Sequence, residues 1–149
     1  MRYAVIAPDG ELTHHDGHPD WTSVIGPEGK ARVFLPGVAV AGWVNDIGLL
    51  DQKRYPRNEV GSCVLACFRA RVQPYAGPVV LTGWHPTTGI GPLPEPEFLD
   101  TVHGDVLKAL NGQTPRDLTP SWAETMREVA DHARNAPVPG FTARSVKLR

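Results

Sequence analysis

A chain of 149 residues suffices for one compact domain with a core of its own and a helical extension. Its hydrophobic fraction of 41% and charged fraction of 21% are those of an ordinary globular protein, and a formal net charge of −1 excludes a surface that attracts nucleic acid all over. No apolar run approaches the roughly 18 residues of a membrane span, and the opening MRYAVIAPDGE lacks the zones of a signal peptide, so a cytoplasmic location is expected.

In chain order, Tyr3 to Ala7 reads as an apolar strand that stops at the turn Pro8-Asp9-Gly10. Thr13 to Pro19 reads as a polar loop. Asp20 then caps a short helix with Trp21, Val24 and Ile25 on one face, ended by Gly26. Strands follow over Ala31 to Leu35 and Val38 to Val44; Pro36-Gly37 favours a type II turn, so the two are not expected to pair directly. Asn45-Asp46-Ile47-Gly48 is a further turn.

The next helix has the strongest pattern. Asn58 is a good N-cap, and Val60, Cys63, Val64, Cys67 and Phe68 recur at helical spacing, with Glu59, Ser62 and Arg69 on the opposite side. Truncating Phe68 to alanine on such a face costs about 3–5 kcal/mol. Cys63 and Cys67 are too few for a disulfide framework and, stacked on one helix face, poorly placed to bridge each other.

Val79-Val80-Leu81, bounded by Gly77-Pro78 and Gly83, has no polar face and is expected in the middle of a sheet covered on both sides. Trp84 to Gly91 reads as an irregular loop, because Pro86, Gly89 and Gly91 interrupt any ladder. A helix led by Pro96 carries the stripe Leu99, Val102, His103, Val106, Leu107 and Leu110 and closes at Asn111-Gly112. Another starts near Thr119-Pro120, where Ser121 and Glu124 have capping-box spacing, and buries Trp122, Met126, Val129, Ala130 and Ala133. The tail holds Arg144, Lys147 and Arg149 and is expected to dock on something. The fold class is therefore α+β: a small mixed β-sheet with a covering helix over residues 1–94, then a helical hairpin and basic tail over residues 95–149 packed on it.

The succession of the Trp21/Val24/Ile25 helix, Asn45-Asp46-x-Gly48, Pro56-Arg57-Asn58 and Gly77-Pro78-Val79-Val80-Leu81-Thr82-Gly83 resembles a family of small proteins of bacteriophages, plasmids and actinobacteria known only as a domain of unknown function. The resemblance covers about Met1 to Pro94. Ile47 stands where that family has an acidic residue, and Val60-Gly61 where it has Ala-Thr. It implies a mobile-element accessory protein and carries no catalytic residues.

Three constellations compete as sites. His14, His15 and His18, beside Asp16, have side chains that bind metal, but a metal needs three or four ligands converging on one point, and a solvated loop explains them as well. Trp84, His85, Thr87 and Thr88, with Trp43, would form a binding surface at the end of the buried strand; a structural loop with self-satisfied threonines is the plainer reading. Lys53, Arg54, Arg57, Arg69 and Arg71 would contact phosphates if they converge, against ordinary surface solvation. His103, on an apolar stripe, reads as a core histidine. With six histidines and sixteen acids in no catalytic spacing, a non-enzymatic protein that binds or regulates a host or phage protein is expected. A nucleic-acid-binding protein and a small metal-dependent hydrolase are the alternatives. No cofactor or membrane is implied, and self-association stays open.

Overall fold

Strand β5 (Val79–His85) runs through the middle of the sheet, and its first five residues are buried. The structure, a computed structural model, describes residues 1–138; the tail cations Arg144, Lys147 and Arg149 lie outside the described residues. At Leu81, β5 pairs with β1 (Arg2–Ile6) on one edge and with β4 (Val40–Asn45) on the other. β2 (Leu12–Asp16) extends the sheet beyond β1, and β3 (Lys30–Val33) extends it beyond β4. The order β2-β1-β5-β4-β3 is antiparallel at every pair, a more uniform sheet than the mixed one expected.

Three local expectations are corrected. Residues 12–16 form an edge strand where a polar loop is expected, because β1 still has a free edge to pair and an edge strand tolerates polar side chains on both faces. β3 and β4 pair directly from Lys30↔Asn45 to Val33↔Gly42; the connection over residues 34–39 is long enough to reverse the chain without a tight hairpin turn. β5 continues through Trp84 and His85 and returns as β6 (Gly89–Gly91), so the segment after Gly83 is a hairpin, not an irregular loop. Pro86 sits in its turn, where no ladder bond is asked of it.

Alternation along the strands gives the sheet two unlike faces. On one, Ala4, Ile6, Val79 and Leu81 share the larger core with α2 (Glu59–Cys67), α3 (Pro96–Leu110) and α4 (Pro120–Asn135). That core draws on residues from both sides of position 94. On the other, Tyr3, Ala41, Trp43 and Val80 form a smaller cluster with Ile25, which follows the short helix α1 (Trp21–Val24). No helix among the described residues is long and apolar enough to cross a membrane.

α2 packs close to the strands because two positions lack a side chain. A Cβ at Gly42 of β4 would lie 2.7 Å from Leu65 Cδ2, and one at Gly61 would lie 2.8 Å from Val79 Cγ2. Ser62, expected on the outer side of α2, is buried, because the helix is covered away from the sheet as well; its Oγ donates to Asn58 O at 2.7 Å. Leu107, expected on the buried stripe of α3, is 36% exposed. Thr119 rather than Ser121 caps α4, accepting from Trp122 N at 3.0 Å, with Pro120 in the first turn where its missing N–H costs nothing.

Asn58 caps α2 and does more. Its Oδ1 accepts from Gly61 N at 2.8 Å, while its Nδ2 donates to Ile6 O and to Gly77 O, each at 2.9 Å. The residue is fully buried, so no water replaces these partners. Asn58→Ala removes a cap and strands two carbonyls, which is expected to cost about 3 kcal/mol or more. Asn58→Asp keeps the acceptor but not the donors and buries a charge, so it should be about as damaging; urea denaturation midpoints of the two variants check both, and a mild Asn58→Asp would show that the donors matter little.

Candidate functional site

The histidine cluster is divided by the strand that contains it. His14 points to the helix side, where its Nε2 lies 2.6 Å from Asp100 Oδ1 on α3. His15 points to the other face, stacks on Tyr3 at 5.1 Å between ring centroids and shares a 2.8 Å hydrogen bond with Thr13. His18 lies beyond the strand and is exposed. Among the described residues no group of three His, Cys, Asp or Glu side chains is placed to hold a metal ion. His14, His15 and His18 therefore do not converge, and the reason is the period of two along β2.

His85 ends β5, with its Nδ1 accepting from Thr87 N at 3.1 Å, which closes the turn that carries exposed Thr87 and Thr88. Trp84 leaves the strand on the opposite side and meets Trp43, the ring centroids 6.0 Å apart. The two tryptophans are thus brought together, but Trp43 is buried and its Nε1 donates to Thr82 Oγ1 at 2.9 Å. Trp21 of α1 covers Trp43 at 5.5 Å. Lys30 Nζ sits 4.9 Å from the Trp21 ring centre, and the Arg32 guanidinium 4.3 Å from that of Trp84. The expected aromatic surface is a packed row, roofed by α1 and by two cations.

His103 and the thiols are structural. His103 donates from Nε2 to Gly10 O at 2.7 Å, fastening the β1–β2 turn to α3. Burial pushes the Cys63 thiol up to about 12 and the Cys67 thiol up to about 11, so neither supplies a thiolate near neutral pH.

The basic residues do not form one patch. Arg57 donates from Nη1 to Ala133 O at 2.9 Å and to Ala136 O at 2.8 Å, closing the end of α4. Arg54 pairs with Glu28 at 2.8 Å, and Lys53 is exposed beside it. Only Arg69 and Arg71 come together, on the wall of a groove of about 1020 Å³.

That groove lies beside β3, the last strand of the sheet, whose outer edge is unpaired among the described residues. Val33, Val44 and Tyr75 contribute its apolar floor. Phe34, Leu50 and Ile47 stand at its rim and are 67%, 54% and 37% exposed. No motif in the sequence joins these three, yet a signal exists. Each is a large apolar residue in or next to a turn, with no periodic face on which to hide.

The rim is held by a polar node. Glu28 accepts from the Tyr55 hydroxyl, from Asn45 Nδ2 at 2.8 Å and from Arg54 Nη1 at 2.8 Å. Asn45 also donates to Ile25 O and accepts from Ile47 N at 2.9 Å, so the turn that presents Ile47 is tied to the end of α1.

Comparison with protein-family models, with curated proteins and with solved structures gives no match to this chain, so the site is read from its own geometry.

The Tyr55 hydroxyl, with Asn45 second, holds the Glu28 carboxyl below the usual carboxylate range. A lowered folded-state value means that this contribution to stability is complete above the unfolded carboxylate value of about 4.3 and is lost as pH falls through the lower, folded value. Tyr55→Phe should therefore be less stable at neutral pH and decline less steeply on the acid side. Denaturation midpoints between pH 7 and pH 3 test this, and an unchanged acid slope would show that the node does not carry it.

Proposed function

We propose that the chain is a non-enzymatic binding module that docks a protein partner in the groove beside β3. The observation that carries this reading is the convergence of Phe34, Ile47 and Leu50, all exposed, on one groove against a strand edge. Singly exposed apolar residues are ordinary, whereas apolar side chains gathered around a concave surface mark interaction sites. The lining offers apolar surface and guanidinium groups, which suit recognition of another chain. The turn at Thr87 and Thr88 lacks a comparable apolar surface, since the tryptophans beneath it are packed together.

The mobile-element setting implied by the family resemblance directs the search for the partner to host and phage proteins. Once a partner has been captured on the immobilised full chain, Phe34→Ser combined with Leu50→Ser should weaken its binding at least tenfold, as expected for the loss of interface anchors of about 1 kcal/mol or more each. Thr87→Ala combined with Thr88→Ala should leave it unchanged. The opposite pattern in surface plasmon resonance would place the docking surface at the turn and overturn this reading.

A further inference from the structure

Resting on that reading, we infer that the groove takes an extended acidic segment of the partner, which adds to β3 as a further strand and sets its carboxylates on Arg69 and Arg71. Asp46 N donates to Gly29 O at 2.9 Å, and these two residues stand opposite each other in the β3–β4 register. This fixes the phase of the antiparallel ladder: Ala31 and Val33 exchange bonds with β4, while Lys30 and Arg32 turn their backbone N–H and C=O groups to the outer edge. An incoming strand finds both a donor and an acceptor at each of these positions.

Sheet edges are commonly guarded by charged side chains. Here the charged residues of β3 are drawn elsewhere, Lys30 onto Trp21 and Arg32 onto Trp84, on the sheet face away from the groove floor. The edge keeps its polar backbone and loses its guards. A strand laid along it would present alternate side chains to Phe34, Ile47 and Leu50.

Charge selects the segment. With the Arg32 guanidinium held on Trp84, the cations left on the groove are Arg69 and Arg71, against a single carboxylate, Asp46. Neither Arg69 nor Arg71 joins an ion pair among the described residues. Arg69 also follows the C-cap of α2 with φ of 69°, a conformation for which glycine is the strain-free choice. An arginine at that position brings a guanidinium to the groove wall. Residues 139–149, which follow Val138 at the groove, contain three cations and no acid, so in charge they match it less well than an acidic segment does.

The test uses the full chain and four fluorescent probes: a nine-residue peptide alternating valine and glutamate, the same peptide with lysine for glutamate, the glutamate peptide with a central proline, and an oligothymidylate. Only the first should bind by anisotropy, and it should slow hydrogen exchange at the Lys30 and Arg32 amides. Arg69→Gln with Arg71→Gln should weaken it at least tenfold, and so should Arg69→Gly with Arg71→Gln. The glycine variant removes charge and backbone strain together, which separates lost binding from misfolding.

Equal binding of the lysine peptide overturns the charge selection while leaving the groove as a docking surface. Failure of every peptide, with partner capture still dependent on Phe34 and Leu50, overturns strand addition alone. Oligothymidylate binding that is lost with Arg69 and Arg71 makes the surface one for nucleic acid. Binding of the glutamate peptide that becomes tenfold tighter on truncation after Val138 makes the chain's own terminal segment the occupant.

Discussion

The buried carboxamide of Asn58 joins parts of the molecule that have little else in common. One side-chain oxygen closes the start of α2, and the two N–H bonds of the same group hold the last carbonyl of β1 and the carbonyl of Gly77 just before β5. Its own backbone N–H donates to Tyr75 O at 2.8 Å. The helix is thereby seated over the two central strands at the distance that Gly42 and Gly61 permit, and the segment leading to Tyr75 is fixed with it. Since Tyr75 contributes to the groove floor, the same few bonds that orient the core also shape the candidate site. A buried polar group with this many partners is costly to disturb, which makes it a point of specification and not merely of stability.

Much of the architecture is legible in the sequence, for a physical reason in each case. Val79 to Leu81 announce a central strand because nothing in them tolerates water, and α2 and α4 announce themselves through apolar residues at helical spacing. What is not legible depends on partners distant in the chain. Thr13 to Asp16 become a strand only because β1 offers them an edge, and Ser62 becomes buried only because the segment at Tyr75 lies over it, Tyr75 N donating to its Oγ at 3.3 Å. The stretch from Trp84 to Gly91 misleads because proline and glycine break ladders in general, although here they fall in the turn and on a short returning strand. The candidate site is hidden more deeply. Phe34, Ile47, Arg69 and Tyr75 come from separate segments, and no local pattern connects them. Trp43 and Trp84 are expected from the sequence on an exposed surface, but Trp43 is buried, and Trp21 with the side chains of Lys30 and Arg32 closes over the pair through partners distant in the chain.

The two faces of the sheet have unequal duties, and the border between them is β3. The helix face buries most of the apolar surface; the tryptophan face is small and depends on stacking. Lys30 and Arg32 belong by alternation to the tryptophan face, so the energy that keeps them there also decides what the outermost strand shows to the solvent. Stacking on one side and accessibility on the other are thus linked through the same two residues, and changing Trp84 or Trp21 alters both.

The strand order has one more implication, for how the chain is made. β1 with β2, and β3 with β4, are neighbours in sequence, but each hairpin offers its inner edge to β5, which comes after both. Until the residues from position 79 onward are made, the strand that both inner edges require is absent, and a two-stranded hairpin alone is only marginally stable, so the gap between β1 and β4 stays open. Emergence of the valine-rich strand fills that gap in a single event, so slow translation just before it lengthens the interval in which the two inner edges are open to mispairing.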